Sequence, residues 1–277
     1  YYAMFTGAFG SKNGMADTLV VATPLLLVAL GVTIAFRANV INIGGEGQLI
    51  MAALATTYLA IQLGEVLPGW LVILICLIVG SLAGAAWAAI AGFLKARLGV
   101  NEILSTIMLN QIAIQIGYYL LRGPMLDPAE RAAGTNIPHS ARLPKTTDLL
   151  RFADVTEGLR LPPSKDAGIS GYAGELYGLV ADPTRLHTGL LIGLVMAIVV
   201  YIFLWRTTLG YRIRAVGLNP HAARYAGINV ARTMVASMGL SGALIGLAGA
   251  VEILGLHHRM FEPASVSAGY GFSGIVV

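Results

Sequence analysis

The chain has 277 residues, a mean hydropathy of +0.75 and 12% charged residues, against about 25% in an ordinary soluble domain, which leaves too little polar surface to keep a folded monomer in water and excludes a soluble enzyme. The formal charge of +4 comes with no basic patch interleaved with exposed aromatics, so nucleic-acid binding has nothing to rest on. A single cysteine, Cys76, rules out an intrachain disulfide and leaves the redox compartment unread.

In chain order, Tyr1–Ala16 lacks the charged start and apolar middle of a signal peptide. The chain begins without Met and stops inside the apolar run Ile275–Val277, so the expectation is a fragment of one transmembrane domain. Five runs are long enough to cross a bilayer: Thr18–Phe36, Trp70–Leu94, Ile103–Leu121, Thr188–Trp205 and Thr233–Leu256. A hydrocarbon core of about 30 Å needs about 20 helical residues. Trp70, Trp205 and the pair Tyr118–Tyr119 end these runs, where aromatic rings favour the interface. A sixth run, Leu49–Leu63, reaches only about 22 Å as a helix, and about 34 Å once Ile41–Gln48 is added. The Gly-rich segment 41–48 is therefore expected at membrane depth.

Loop charge sets the orientation. Arg206, Arg212, Arg214, Arg224 and Arg232 fill 206–232 with no acidic residue, Lys95 and Arg97 mark another short loop, and Gly64–Gly69 has no Lys or Arg. Basic short loops stay cytoplasmic, which places 206–232 inside and 122–187 outside. The latter holds eight basic and eight acidic residues and several prolines, so it reads as a sizeable extracytoplasmic loop; long loops translocate largely regardless of charge. Thr18–Phe36 leads into 41–48, and Thr233–Leu256 leads into Ser265–Gly274 in the opposite direction. Paired interrupted segments in inverted halves point to a pathway at the midplane. The fold class is thus all-α: a polytopic transmembrane helix bundle with interrupted helices, an inverted repeat and one large outer loop.

Glu46 is the most telling residue. A charge near the bilayer centre costs about 2.5–3.5 kcal/mol on insertion scales, so it faces protein, water or substrate. Gly44, Gly45 and Gly47 permit unwinding or close approach, and an unwound segment would present Asn42, Glu46 and Gln48 to a cavity; packing against a neighbouring helix is the alternative. Gln111 and Gln115 share one face of their helix, and Thr106 with Asn110 forms the adjacent row. Such amides either glue helices together or make a neutral wall for a hydroxyl-rich substrate. Glu252 is a lesser candidate of the same kind, and the spacings Gly80/Gly84, Gly189/Gly193 and Gly242/Gly246/Gly249 read as helix-packing faces. The string Gly269–Gly274 matches a dinucleotide fingerprint only literally, since the strand it requires is missing, and no Walker loop occurs, so ATP hydrolysis is not expected of this chain. Adjacent His257 and His258 with no further ligand make a poor metal site. In 206–232, Asn219 suits a helix cap, Pro220 its first turn and Gly227 its end, giving either a rigid protruding helix or a loop that merely anchors topology on lipid phosphates.

The block from Phe36-Arg37-Ala38-Asn39 through Asn42-Ile43-Gly44-Gly45-Glu46-Gly47-Gln48, the block from Arg214-Ala215-Val216-Gly217 to Tyr225-Ala226-Gly227-Ile228-Asn229, and Ser241-Gly242-Ala243 through Gly249 together resemble the permease subunits of bacterial ABC importers for nucleosides and simple sugars, within the larger branched-chain amino-acid and ribose permease group. The resemblance covers most of the chain. It implies a multi-pass inner-membrane permease paired with a copy of itself or a second permease, two cytoplasmic ATPase subunits that bind the ATP and Mg, and an extracytoplasmic substrate-binding protein. It implies a translocation path near Asn42, Glu46 and Gln48; Asn110, Gln111 and Gln115, from their own polar stripe, remain lining candidates. It also implies an ATPase-coupling element at Arg214, Asn219, Pro220, Ala222, Ala223, Arg224 and Gly227. The chain is shorter than the resemblance leads one to expect, lacking a first helix and the last ones, and its outer loop is longer, around Phe152–Gly174. A secondary transporter using Glu46 as an H⁺ or Na⁺ site is the rival reading, and a membrane-embedded enzyme the third.

Overall fold

The five long apolar runs become five helices of spanning length in a computed structural model that describes the chain apart from residues 136, 159–161, 163, 165–167 and 169–170. After the short α1 (Tyr2–Phe9) come α2 (Lys12–Arg37), α3 (Gly45–Leu63), α4 (Gly69–Leu98) and α5 (Glu102–Arg122). The loop 122–187 carries α6 (Pro128–Ala133), α7 (Phe152–Gly158) and α8 (Gly171–Ala181). Then follow α9 (Gly189–Arg206), α10 (Thr208–Leu218), α11 (Pro220–Tyr225), α12 (Val230–Glu252), α13 (Pro263–Ser267) and α14 (Tyr270–Val276). Among the described residues the extended pairing is a single bridge, Arg151 to His187. The stretch Phe152–Gly174 lies partly outside the described residues.

Local chemistry sets the boundaries. Ser11 accepts from the Gly14 N–H to start α2, and Asn101 accepts from the Ile103 N–H to start α5. Gly99, at φ +68°, takes the left-handed turn that ends α4, a conformation open to glycine at no Cβ cost.

The sixth run forms α3, and its surroundings explain its composition. Twelve of its nineteen residues are buried, against α4, α5, α12, α13 and α14. Because protein rather than lipid surrounds it, α3 accommodates Gln48, Thr56 and Thr57, all buried. The expected glycine faces are close-packed. A Cβ on Gly84 would lie 2.3 Å from the Gly242 carbonyl oxygen and 2.7 Å from the Gly246 Cα, so α4 and α12 meet backbone to backbone, as small residues allow.

All the basic short loops lie at one end of the bundle. Gly217 packs on Arg37, and Gly92 on Met238 in the first half of α12. Lys95 pairs with Glu102 across the α4–α5 turn. The 122–187 loop covers the other end, with the Leu149 N–H bonded to the Leu254 carbonyl at 2.9 Å and Lys12 paired to Asp182.

One expectation changes. Gly45 and Gly47 do not unwind; both are helical, and the irregular backbone is confined to Ala38–Gly44. The glycines serve close approach instead. A Cβ on Gly45 would sit 2.8 Å from the Gly271 Cα, and one on Gly47 would sit 2.9 Å from Asn110 Oδ1.

Candidate functional site

After Arg37 the chain turns through Asn39, at φ +56°, and climbs back beside the helix it has just left. Asn42 Nδ2 donates to Ser241 Oγ at 2.8 Å. The Ser241 carbonyl in turn lies 2.7 Å from where a Cβ on Gly31 would stand. Gly31 is about 9 Å up α2 from Arg37 at ~1.5 Å per residue, so the link re-enters the bundle before α3 begins.

Four of the expected residues meet there. Asn42 and Gln48 pair their amides reciprocally: Gln48 Nε2 donates to Asn42 Oδ1 at 2.8 Å, and Asn42 Nδ2 donates to Gln48 Oε1 at 3.1 Å. Asn42 Oδ1 also accepts the Gly44 N–H at 3.0 Å. Asn110, from α5, accepts the Gly47 N–H at 2.8 Å and donates to the Ile43 carbonyl at 3.0 Å, clamping both sides of the α3 start. Helix starts leave N–H groups unpaired, and these amides satisfy them in a region that water does not reach.

Glu46 completes the arrangement. Its Oε1 accepts from the Gly271 N–H at 2.9 Å and the Phe272 N–H at 3.3 Å, the first amides of α14. Glu46 itself lies in the first turn of α3. One carboxylate thus sits between two helix N-termini, whose partial positive charges favour an anion, and this offsets the cost of holding it at depth. The start of α3 and the start of α14 are joined through this contact. Asn42, Glu46, Gln48 and Asn110 are all buried; Asn42 and Gln48 face each other, while Asn110 and Glu46 bond backbone groups of the α3 start and of α14.

Gln111 and Gln115 are not part of this network. They lie exposed on the outer face of α5 with Leu104, Met108 and Ile112. Glu252, also buried, stands apart from this network, 3.6 Å from His257 Nε2 beside the π-turn Ile253–His257. Sequence reasoning missed Ser241 as a member; a hydroxyl on an otherwise small-residue face is the signal that marks it. It also missed Trp87, whose buried Nε1 has no partner and lies 3.0 Å from a Cβ on Gly47. No sequence pattern points to that residue.

The second feature is an elbow at the arginine-rich end. Thr207 caps α10 by accepting from the Gly210 N–H. Asn219 Oδ1 accepts from the N–H groups of His221 and Ala222, each at 3.0 Å, with Pro220 in the first turn of α11. Gly227, at φ +79°, follows α11. Ala223 is buried against Val216 and Val230, whereas Ala222, Arg224 and Tyr225 are exposed. Arg214 lies over the Trp205 ring, 4.3 Å from its centroid. A Cβ on Gly217 would stand 2.1 Å from the Arg37 carbonyl oxygen. The elbow therefore touches the point where α2 gives way to the link that holds Asn42.

Residues 14–277 match the family described as "Branched-chain amino acid transport system / permease component". The chain is 32% identical to the guanosine ABC transporter permease protein NupP of Bacillus subtilis, covering 100% of this chain and 70% of that one. It is 34% identical to a glucose ABC transporter permease protein of Haloferax volcanii, covering 100% and 66%. It is 31% identical to the nucleoside ABC transporter permease protein NupB of Lactococcus lactis, covering 100% and 69%. The chain thus spans about two thirds of the length of these relatives. No solved structure matches it. A family match over nearly all residues, five spanning helices and an exposed capped elbow agree, and the chain belongs to the branched-chain amino acid transport system permease family, as a multi-pass membrane permease of ABC importers.

Proposed function

We propose that this permease carries nucleosides across the bacterial inner membrane, with simple sugars the second substrate class. The reading rests on the full-chain similarity to permeases named for guanosine, nucleosides and glucose. In it, cytoplasmic ATPase subunits bind ATP and Mg and grip the exposed face of α11, around Ala222, Arg224 and Tyr225. A binding protein delivers substrate to the loop-bearing end.

The single observation that carries the mechanism is the backbone contact of Gly217 with Arg37. A push on α11 passes through α10 into the α2–α3 link, and hence to Asn42, Ser241 on α12 and Glu46 on α3. Because Glu46 ties α3 to α14, displacing the link shifts the two inverted halves against each other. Gln111 and Gln115 then line the path between this chain and a second permease subunit, identical or homologous. Uncharged amides in a lipid-facing stripe are costly, and a shared pore relieves that cost. Glu46 as the ion carrier of a secondary transporter finds no support: the relatives are ABC permeases, and Oε1 is already occupied by two backbone donors.

The test is reconstitution of the permease with its ATPase and binding protein in liposomes. ATP hydrolysis should rise several-fold with a nucleoside, and uptake should need ATP. Stimulation by glucose and by no nucleoside would move the substrate to the second class. Uptake by the permease alone, driven by a proton gradient, would overturn the reading.

A further inference from the structure

Two guanidinium groups converge on one indole at the arginine-rich end. Arg214 Cζ lies 4.3 Å and Arg37 Cζ 5.7 Å from the centroid of Trp205. Cation–π attraction accounts for each singly, but two like charges over the same ring repel. Among the described residues neither arginine pairs with a carboxylate, and 206–232 contains no acidic residue. Arg214 Nε is covered and has no hydrogen-bond partner, a donor that costs stability unless an acceptor arrives. The two arginines border a recess of about 360 Å³ together with Phe36, Trp205, Gly217 and Leu218. On the other side of Arg214 a second recess of about 600 Å³ adds Arg206 and Arg212.

We infer that the recess between Arg37, Arg214 and Trp205 is a binding site for the headgroup phosphate of an anionic phospholipid. Charge and shape both point that way. Arg37 ends α2 and Trp205 lies in the last turn of α9, so the recess sits where spanning helices leave the hydrocarbon, at headgroup level. Phe36, Trp205 and Leu218 are exposed apolar side chains beside it, an unsuitable surface for water but a fitting one for acyl chains. Planar guanidinium forks match phosphate oxygens bidentately, and the indole between them suits the interface. A phosphate there would neutralise the repulsion, satisfy Arg214 Nε and brace α10 against the end of α2. The α11 face presented to a protein partner stays free.

The experiment is native mass spectrometry of the assembled transporter, titrated with phosphatidylglycerol or phosphatidylcholine. Wild type should bind phosphatidylglycerol in preference. Arg37→Gln with Arg214→Gln removes both charges that attract the phosphate, should lower that affinity about tenfold or more, and should leave phosphatidylcholine binding unchanged. Arg37→Lys with Arg214→Lys, which keeps the charge but loses the planar forks, should fall between wild type and the Gln variant. If the Gln variant does not assemble, Trp205→Leu, which removes the ring that gathers both guanidiniums, should weaken phosphatidylglycerol in the same way. Equal phosphatidylglycerol affinity in wild type and variants would overturn the site. So would displacement of the lipid by millimolar inorganic phosphate, or loss of the ATPase subunits with lipid affinity intact, which would assign the arginines to a free anion or a protein carboxylate.

Discussion

Glu46 and Asn42 hold positions whose partners are backbone amides and side-chain amides in a dry interior, so their substitutions separate charge from hydrogen bonding. Glu46→Gln keeps an acceptor for the Gly271 and Phe272 N–H groups; it loses the favourable interaction of a charge with two helix ends, worth about 0.3–1 kcal/mol each, and with it the cost of holding a charge at depth. Glu46→Ala strands both donors, at roughly 1–3 kcal/mol apiece. The apparent melting temperature of the purified protein should therefore be lower for Ala than for Gln; an alanine variant as stable as the glutamine one would remove Glu46 from its capping role. Asn42→Ala should cost about 2 kcal/mol or more by the same measurement, because it leaves the amide of Gln48 and the hydroxyl of Ser241 without their partner.

At the scale of elements, glycines fall into two kinds that helix spacing does not separate. Gly84→Ala places a methyl 2.3 Å from the Gly242 carbonyl oxygen and should destabilise the α4–α12 contact by about 1–3 kcal/mol. Gly239→Ala, on α12, has its nearest atom at 3.9 Å and should be neutral or stabilising by up to about 1 kcal/mol. Thermal unfolding of the two variants checks the contrast; equal losses would deny α4 its backbone contact. In the elbow, Tyr225→Ala with Arg224→Glu alters only exposed side chains and should reduce substrate-stimulated ATP hydrolysis several-fold with the melting temperature unchanged. Ala223→Trp acts differently, since Ala223 is buried against Val216 and Val230, and stability and coupling should drop together. Local features were legible for a physical reason. The Asn219 cap, Pro220 and Gly227 depend on neighbours within a few residues, as do the five spanning runs. What Gly45 and Glu46 do depends on Gly271, which only the fold brings near; the sequence therefore admits both unwinding and close approach. The polar rows of α5 were visible too, but which row turns inward follows from where α3 packs, so Asn110 joined the network while Gln111 and Gln115 did not.

Across the whole molecule the two ends differ in how their charges are held. At one end Arg37, Arg206, Arg212 and Arg214 stand without carboxylate partners among the described residues; at the other, ions and rings fasten the 122–187 loop to the bundle. There Lys12 and the Ser164 N–H engage Asp182, holding its carboxyl down at about 2, so that clasp persists through any ordinary acid range. His187 behaves oppositely. It is buried, accepts the Gly189 N–H at 3.1 Å, and lies against Gly255; burial first, then the nearby His258 and Arg151, push its pKa from 6.5 down to about 4. The folded loop thus keeps the imidazole neutral while the detached loop lets it protonate. Stability from this contact is complete above pH 6.5 and drains as pH falls toward 4, by up to about 1.4 kcal/mol per pH unit. The protection of amides in 182–190, as the ratio of the intrinsic to the observed exchange rate at each pH, should fall between pH 6.5 and 5, while that of α3 stays unchanged. In His187→Gln the loop should be looser at neutral pH and its protection should no longer depend on pH in that window; if the variant keeps the wild-type pH dependence, another group sets the fastening of the loop.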